Sequence, residues 1–205
     1  MSATATRIQR RLRNKQADWV FSAKDFLDFG SRAAVDQALS RLAKTGTVRR
    51  IARGLYDRPR HNALLNTAAP ATLAAVVDAV ARRDDVVVVS DGSVDANQLG
   101  LTTAVPSRPL YWTTGPSRTL RVGPRSVKLK KMPSWLRYWT GRPAAPIVKA
   151  MQWLGPTLTN DHTLTTHLQR QLTASVAKDL RRNIAHLPGW MHASVKSLVI
   201  PAINA

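Results

Sequence analysis

Residues 31–58 constrain this chain most tightly, because an amphipathic helical period stops at a glycine and gives way at once to a short basic hairpin. Ser31 is suited to cap the helix, since its hydroxyl can accept a hydrogen bond from an amide left unpaired in the first turn. At about 100° per residue, Val35, Ala38, Leu39 and Leu42 fall on one stripe, while Ala33, Asp36, Gln37, Ser40, Arg41 and Lys44 fall opposite. One side is therefore fitted to a core and the other is left free. Gly46 suits the left-handed position beyond the helix, with Lys44 in the last turn, where a cation complements the helix dipole. Thr47 to Ala52 then reads as a strand carrying Arg49 and Arg50, Arg53-Gly54 as a turn, and Leu55-Tyr56-Asp57 as the returning strand, closed by Pro59.

Upstream, Ser22 caps a short predicted helix over Ala23 to Asp28, with Phe26, Leu27 and Phe29 available for packing and Gly30 as the turn before Ser31. A further helix is predicted over Thr6 to Gln16. Ile8 and Leu12 face inward there, and Arg7, Arg10, Arg11, Arg13 and Lys15 crowd the remaining surface. Helix, short helix, amphipathic helix and basic hairpin in this order read as a winged helix-turn-helix. In such a unit the first turns of the recognition helix reach base edges, so Ser31, Arg32, Ala33, Asp36, Gln37 and Ser40 are the candidate readers. Arg32 has the geometry for guanine and Gln37 for adenine, each by a bidentate pair in the major groove. Arg41, Lys44, Arg49, Arg50 and Arg53 are candidate phosphate or minor-groove contacts, joined by Arg7, Arg10 and Arg11 from the first helix. The alternative for each of these cations is an ordinary solvated surface.

The charge balance supports a polyanionic partner. Of 205 residues, 31 are Lys or Arg and 12 are acidic, every acid being aspartate. A membrane surface would also attract such charge, but no long apolar run and no signal-peptide pattern is present, so a soluble cytoplasmic protein is expected. The absence of cysteine excludes disulfides and thiolate metal sites.

Beyond the hairpin, Arg58 to Pro70 contains two prolines before Ala71 and little periodicity, which places a domain boundary near residue 66: a DNA-binding domain over 1–66 and a second domain over 67–205. A helix is predicted over Ala71 to Arg83 and a strand buried on both faces over Val86 to Val89, followed by a turn at Ser90 to Ser93. Leu110 to Thr114, Thr119 to Val122 and Val127 to Lys131 read as three strands of a meander. From Pro146 the pattern is helical, over Ile147 to Leu154, Thr163 to Leu172, Ala174 to His186 and Pro188 to about Val199. The expected class is α+β and mainly helical, with a mixed second domain holding a small sheet and a helical C-terminal end.

Three segments carry a family resemblance: Trp19 to Phe26, Gly30 to Leu42 and Arg49 to Asp57. With Asn97 to Leu101, Val105-Pro106 and Thr114 to Thr119 in the second half, the chain resembles the AbiEi family of bacterial antitoxins, from type IV toxin-antitoxin systems active in abortive infection and phage defence. The likeness weakens beyond Met132. It implies a winged helix that binds inverted repeats in double-stranded DNA upstream of its own operon and represses it. It further implies a C-terminal domain that counteracts a nucleotidyltransferase-like toxin without a stable complex, in a protein monomeric in solution that can bind DNA cooperatively.

A second basic run, Arg118, Arg121, Arg125, Lys128, Lys130 and Lys131, contains no acid. A strand period puts Lys128 and Lys130 on one face and Val127 and Leu129 on the other. A second nucleic-acid surface, a surface competing for the toxin's tRNA substrate and a solvated face all remain open for it. Catalytic readings are weaker. Asp91-Gly92-Ser93-Val94-Asp95 lacks the paired acids that a nucleotidyltransferase needs for magnesium, and Asp91 suits a turn residue bonding its own backbone. His61, His162, His167, His186 and His192 have no metal-site spacing, so neither metal nor cofactor is expected. Trp135 and Trp139 suit a core or interface better than a base-stacking platform. The competing functions are a nucleic-acid-processing or RNA-modifying factor docked by its winged helix, and a generic ligand-responsive regulator.

Overall fold

The computed structural model describes residues 2–62, 67–104, 109–159 and 161–199, the side chains of 60–62, 67 and 158 excepted. The fold is α+β. By its internal contacts the chain divides into two compact units, one of residues 1–88 with 119–127 and one of 89–118 with 128–205. The expected boundary at residue 66 lies outside the described residues. The helix expected to open a second domain belongs instead to the first unit, where side-chain bonds anchor it.

The first unit begins with α1 (Ala3–Arg13), β1 (Val20–Phe21), a 3-10 helix (Ala23–Phe29) and α2 (Arg32–Lys44). The hairpin β2 (Arg49–Ala52) and β3 (Leu55–Asp57) follows, then β4 (Arg60–Asn62), β5 (Thr67–Ala69) and α3 (Leu73–Asp84). Each early turn is held by a local cap. Ser2 Oγ accepts from Ala5 N at 3.4 Å and Ser31 Oγ from Ala34 N at 3.3 Å. Asp25 reaches back to Ser22 N at 2.8 Å, closing a capping box on the 3-10 helix. α1 starts three residues earlier than expected because Ser2 supplies its cap, and the segment read as a short helix tightens to 3-10 geometry.

The core of this unit gathers Ala5, Ile8 and Leu12 of α1, Phe21, Phe26, and Val35, Ala38, Leu39 and Leu42 of α2, with Val48 beyond the helix. Phe21 and Phe26 meet edge to face at 5.4 Å between centroids, and Trp19 and Tyr56 flank them. β3 lies between β1 and β2, antiparallel to both. α3 is fixed by Arg82, which bonds Asp25 at 3.0 Å and Val20 O at 2.7 Å.

The second unit takes up β6 (Val88–Ser90) from its second residue and continues through α4 (Ser93–Gln98) and β7 (Leu110–Thr113). β8 (Arg118–Val122) and β9 (Arg125–Lys131) follow, then α5 (Ser134–Trp139), α6 (Ala145–Thr159), α7 (His162–Gln171), α8 (Ala174–Asn183) and α9 (Gly189–Val199). The predicted meander is corrected. The strand order is β6-β7-β9-β8, with β7 parallel to β9 in the register Leu110↔Lys128 to Thr113↔Lys131. The chain leaves β7, lays down β8 at the sheet edge and returns through Gly123-Pro124, so β9 rather than β8 becomes the neighbour of β7.

The segment read only as a turn at Ser90 to Ser93 also leads into a helix. Asp91 does act as the turn residue, accepting from Ser93 N at 3.0 Å and Ser93 Oγ at 2.6 Å. α4 then packs so closely on α6 that a Cβ on Gly92 would stand 2.0 Å from Lys149 O. A buried ion pair joins the same two helices, Lys149 Nζ to Asp95 at 2.8 Å, and Ser90 Oγ donates to the other oxygen of Asp95 at 2.8 Å. Trp139 is fully buried and donates to His186 O at 3.4 Å, in keeping with a core role, and Trp135 packs against the same cluster. α6 is kinked at Gly155, whose φ of 77° leaves the helical region just before Pro156.

Candidate nucleic-acid interface

α2 presents the candidate readers as the sequence period requires. Val35, Ala38, Leu39 and Leu42 are buried, and Ser31, Arg32, Ala33, Asp36, Gln37, Ser40, Arg41 and Lys44 are exposed. From Arg32 to Arg41 the exposed positions span roughly 180° of the helix at about 100° per residue. Arg32 is not idle: its Nε bonds Asp36 at 2.9 Å, one turn on. That pair is exposed and runs cation-first along the helix, so it holds Arg32 only weakly.

The hairpin cations separate into two kinds. Arg49 is committed inside the protein, donating Nε to Asp57 at 3.1 Å and Nη2 to the other carboxylate oxygen at 2.6 Å and to Ala69 O at 2.8 Å. The Asp57 side chain is only 6% exposed, and its carboxylate raises the Arg49 pKa above the ordinary arginine value. Arg50 and Arg53 are exposed, with no ion pair among the described residues. The register places Arg49 opposite Asp57 and Arg50 opposite Tyr56, with a bulge at Ile51.

The first helix divides similarly. Arg11 makes a forked pair with Asp28 at 2.9 and 2.5 Å, bonds Asp25 O at 2.7 Å and stacks its guanidinium 3.9 Å from the Phe29 ring centroid. The hydrogen bond from Arg11 holds the Asp28 carboxyl below its usual range. Arg7 also lies over Phe29, at 4.5 Å, whereas Arg10 is exposed and unpaired among the described residues.

The basic run of the second half is shared between the two units. Arg121 and Arg125 lie in the first, and Arg118, Lys128, Lys130 and Lys131 in the second. Arg125 bonds Ala71 O and, with Val122 to Pro124, lines a groove of about 420 Å³ together with Arg49, Arg50, Ile51, Pro70 and Ala71. The structure thus brings one residue of the second run beside the hairpin cations, a juxtaposition that no local pattern announces. Asp57 and Asp28, the partners that remove Arg49 and Arg11 from the free set, were also missed. For Asp57 the sequence signal misleads, because pairing outward from Arg53-Gly54 puts it across from Arg50, and only the bulge at Ile51 moves it opposite Arg49.

Among the described residues no cluster of three histidine or acidic side chains is placed to hold a metal ion, and no helix is long and apolar enough to cross a membrane. Fold and site together define an α+β protein with a basic helix-and-hairpin face. Residues 7–180 match a protein family described as a family of unknown function, DUF6088, and the chain belongs to that family. No curated protein and no solved structure matches it.

Proposed function

We propose that the chain is a DNA-binding transcriptional autorepressor and antitoxin of a type IV, AbiE-like toxin-antitoxin system, without enzymatic activity of its own and acting in the cytoplasm. In this reading the 3-10 helix, α2 and the β2–β3 hairpin form a winged helix-turn-helix, with α2 in the major groove and the hairpin on the backbone. The observation that carries the DNA half is the free side of α2, where Arg32, Gln37, Ser40, Arg41 and Lys44 are exposed on a helix whose opposite side is buried. Arg10, Arg50 and Arg53 supply phosphate contacts, and Arg49 stiffens the hairpin that presents them. The antitoxin half rests on the resemblance to AbiEi antitoxins, with the second half of the chain opposing a nucleotidyltransferase-like toxin.

The test is binding of the full chain to inverted repeats upstream of its own gene, paired with growth rescue on coexpression with a neighbouring nucleotidyltransferase-like gene. Arg32→Ala is expected to cost roughly 1 to 3 kcal/mol on the cognate repeat and to relax selectivity at one base pair. Retention of full affinity and selectivity removes Arg32 from the readers. If Arg32→Ala abolishes repression and still rescues growth, the two activities are separate. If rescue is lost with repression, protection comes through the operator alone.

A further inference from the structure

The second unit holds a groove of about 750 Å³ lined by Trp112, Lys130, Lys131, Met132, Arg137 and Gln152, among others. We propose that this groove binds single-stranded nucleic acid, a site distinct from the duplex-reading face of α2 and independent of that reading.

Three observations carry it. Lys130, Lys131 and Arg137 are all exposed, none has an ion-pair partner among the described residues, and none of the residues lining the groove is acidic. Three such cations gathered around one cavity without a compensating acid give it a positive potential that favours an anion. Second, Trp112 is 8% exposed, and its indole N–H is buried with no acceptor among the described residues. A buried donor left unpaired costs free energy, and tryptophan normally finds a partner for it, so Trp112 is the lining side chain with hydrogen-bonding capacity left unused by the protein. Third, Lys130 lies opposite Trp112 in the parallel register, with its Nζ 5.2 Å from the indole centroid. The sheet thus fixes cation and aromatic together, the pairing that single-strand binders use for phosphate and base.

The shape favours a single strand over a duplex. A duplex offers its phosphates on a broad convex rod, which touches cations ranged along a surface rather than gathered around a concavity. An unstacked strand can run successive phosphates past Lys130, Lys131 and Arg137, one to each cation, and turn a base toward Trp112 and Gln152. The volume falls within the range of about 300 to 1,000 Å³ typical of ligand sites.

The experiment follows a fluorescein-labelled oligo(dT) by anisotropy against the full chain as salt is varied. The groove variant is Lys130→Gln/Lys131→Gln/Arg137→Gln. A charge-matched variant, Arg170→Gln/Lys178→Gln/Arg182→Gln, alters three other exposed cations of the same unit. Each phosphate contact on a single strand contributes a slope near −0.7 in log affinity against log salt, so three contribute about −2, and the wild-type advantage over the groove variant shrinks about 18-fold between about 50 and 200 mM. The charge-matched variant keeps a slope close to wild type. Trp112→Phe keeps an aromatic side chain, smaller than the indole and without its donor, and is expected to weaken binding severalfold with the slope unchanged. Equal slopes for the two triple variants overturn the proposal, because binding then follows diffuse charge. Full affinity in both Trp112→Phe and the groove variant overturns it as well. Displacement of the oligonucleotide by poly-glutamate at equal charge concentration overturns it in favour of an acidic polypeptide. Should the triple variant fail to fold by circular dichroism, the exposed single variants Lys131→Gln and Arg137→Gln each carry the same test, with a slope change near 0.7.

Discussion

Neighbouring arginines on β2 are expected to fail in opposite ways when neutralised, and the contrast tests how the hairpin is built. Arg49→Gln removes three hydrogen bonds, two to Asp57 and one to Ala69 O, and leaves a carboxylate that is 6% exposed without its counter-ion. Breaking a buried pair from one side typically costs about 3 to 5 kcal/mol. Arg49 itself is 31% exposed, so water recovers part of that loss, and about 2 kcal/mol is expected. The pKa of Arg49 is raised on folding, so its contribution is complete below the ordinary arginine value and declines only as pH climbs through the higher folded one. The penalty is therefore flat through the neutral and mildly alkaline range. Arg50→Gln touches an exposed side chain and should change stability by no more than about 0.5 kcal/mol. On duplex DNA the order reverses: Arg50→Gln lowers the salt slope by about 0.9, the value of one phosphate contact, and Arg49→Gln leaves it unchanged. Urea denaturation and salt-dependent duplex binding, run on both variants, decide the matter. An Arg49→Gln protein as stable as the parent but with a reduced salt slope would mean that this guanidinium serves DNA rather than Asp57, refuting the reasoning.

Arg11→Gln should return the Asp28 carboxyl toward the usual range, followed as an upward shift in its NMR titration. Because folding lowers this pKa, the pair stabilises above the ordinary aspartate value of about 3.9 and its contribution is lost as pH falls through the lowered one, so parent and variant converge in acid. An unmoved Asp28 titration contradicts the pairing. Gly92→Ala must place a methyl 2.0 Å from Lys149 O at a φ of +101°, and is expected to cost at least about 3 kcal/mol in urea denaturation of the full chain. A loss below about 1 kcal/mol would show that α4 and α6 can part cheaply. Asp36→Ala removes a carboxylate from the free side of α2 and releases Arg32, so duplex affinity should rise by up to about fivefold, under 1 kcal/mol. Weaker binding would place Asp36 among the groups that contact the bases.

What the sequence made legible was local. α2 could be read because its cap, its buried stripe and Gly46, at a φ of +71°, all lie within one short segment. The hairpin was legible for the same reason, since Gly54 supplies the positive φ of a turn between two short strands. α4 was missed because Asp91-Gly92-Ser93 carries every sign of a turn, and the helix that follows depends on packing against α6, far along the chain. The order of β7, β8 and β9 was misread because strand adjacency is a long-range property, and the expected meander simply assumes that neighbours in sequence pair in space. Likewise α3 is drawn to the first unit by Arg82 reaching Asp25 and Val20 O, bonds across 57 and 62 residues that no periodicity encodes.

The same distinction governs the charge. An excess of 31 cations over 12 acids says that a polyanion is welcome, without saying where. Pairing supplies the location. In the first unit, Arg11, Arg49 and Arg82 are tied to Asp28, Asp57 and Asp25, and Lys24 to Asp85. Once these are subtracted, along with Arg32, which pairs with Asp36, and Arg7, which lies over the Phe29 ring, the cations left in water on the helix-and-hairpin elements are Arg10, Arg13, Arg41, Lys44, Arg50 and Arg53. None of these six has an acidic partner among the described residues, and four of them come from α2 and its hairpin. A chain using arginine only for solubility has no reason to neutralise Arg49 on the hairpin while leaving Arg50 and Arg53 of the same hairpin unpaired. The paired ones fix the hairpin and α3 to the core, and the unpaired ones are thereby held on a rigid support, which favours backbone contact because less side-chain and loop ordering is lost on binding.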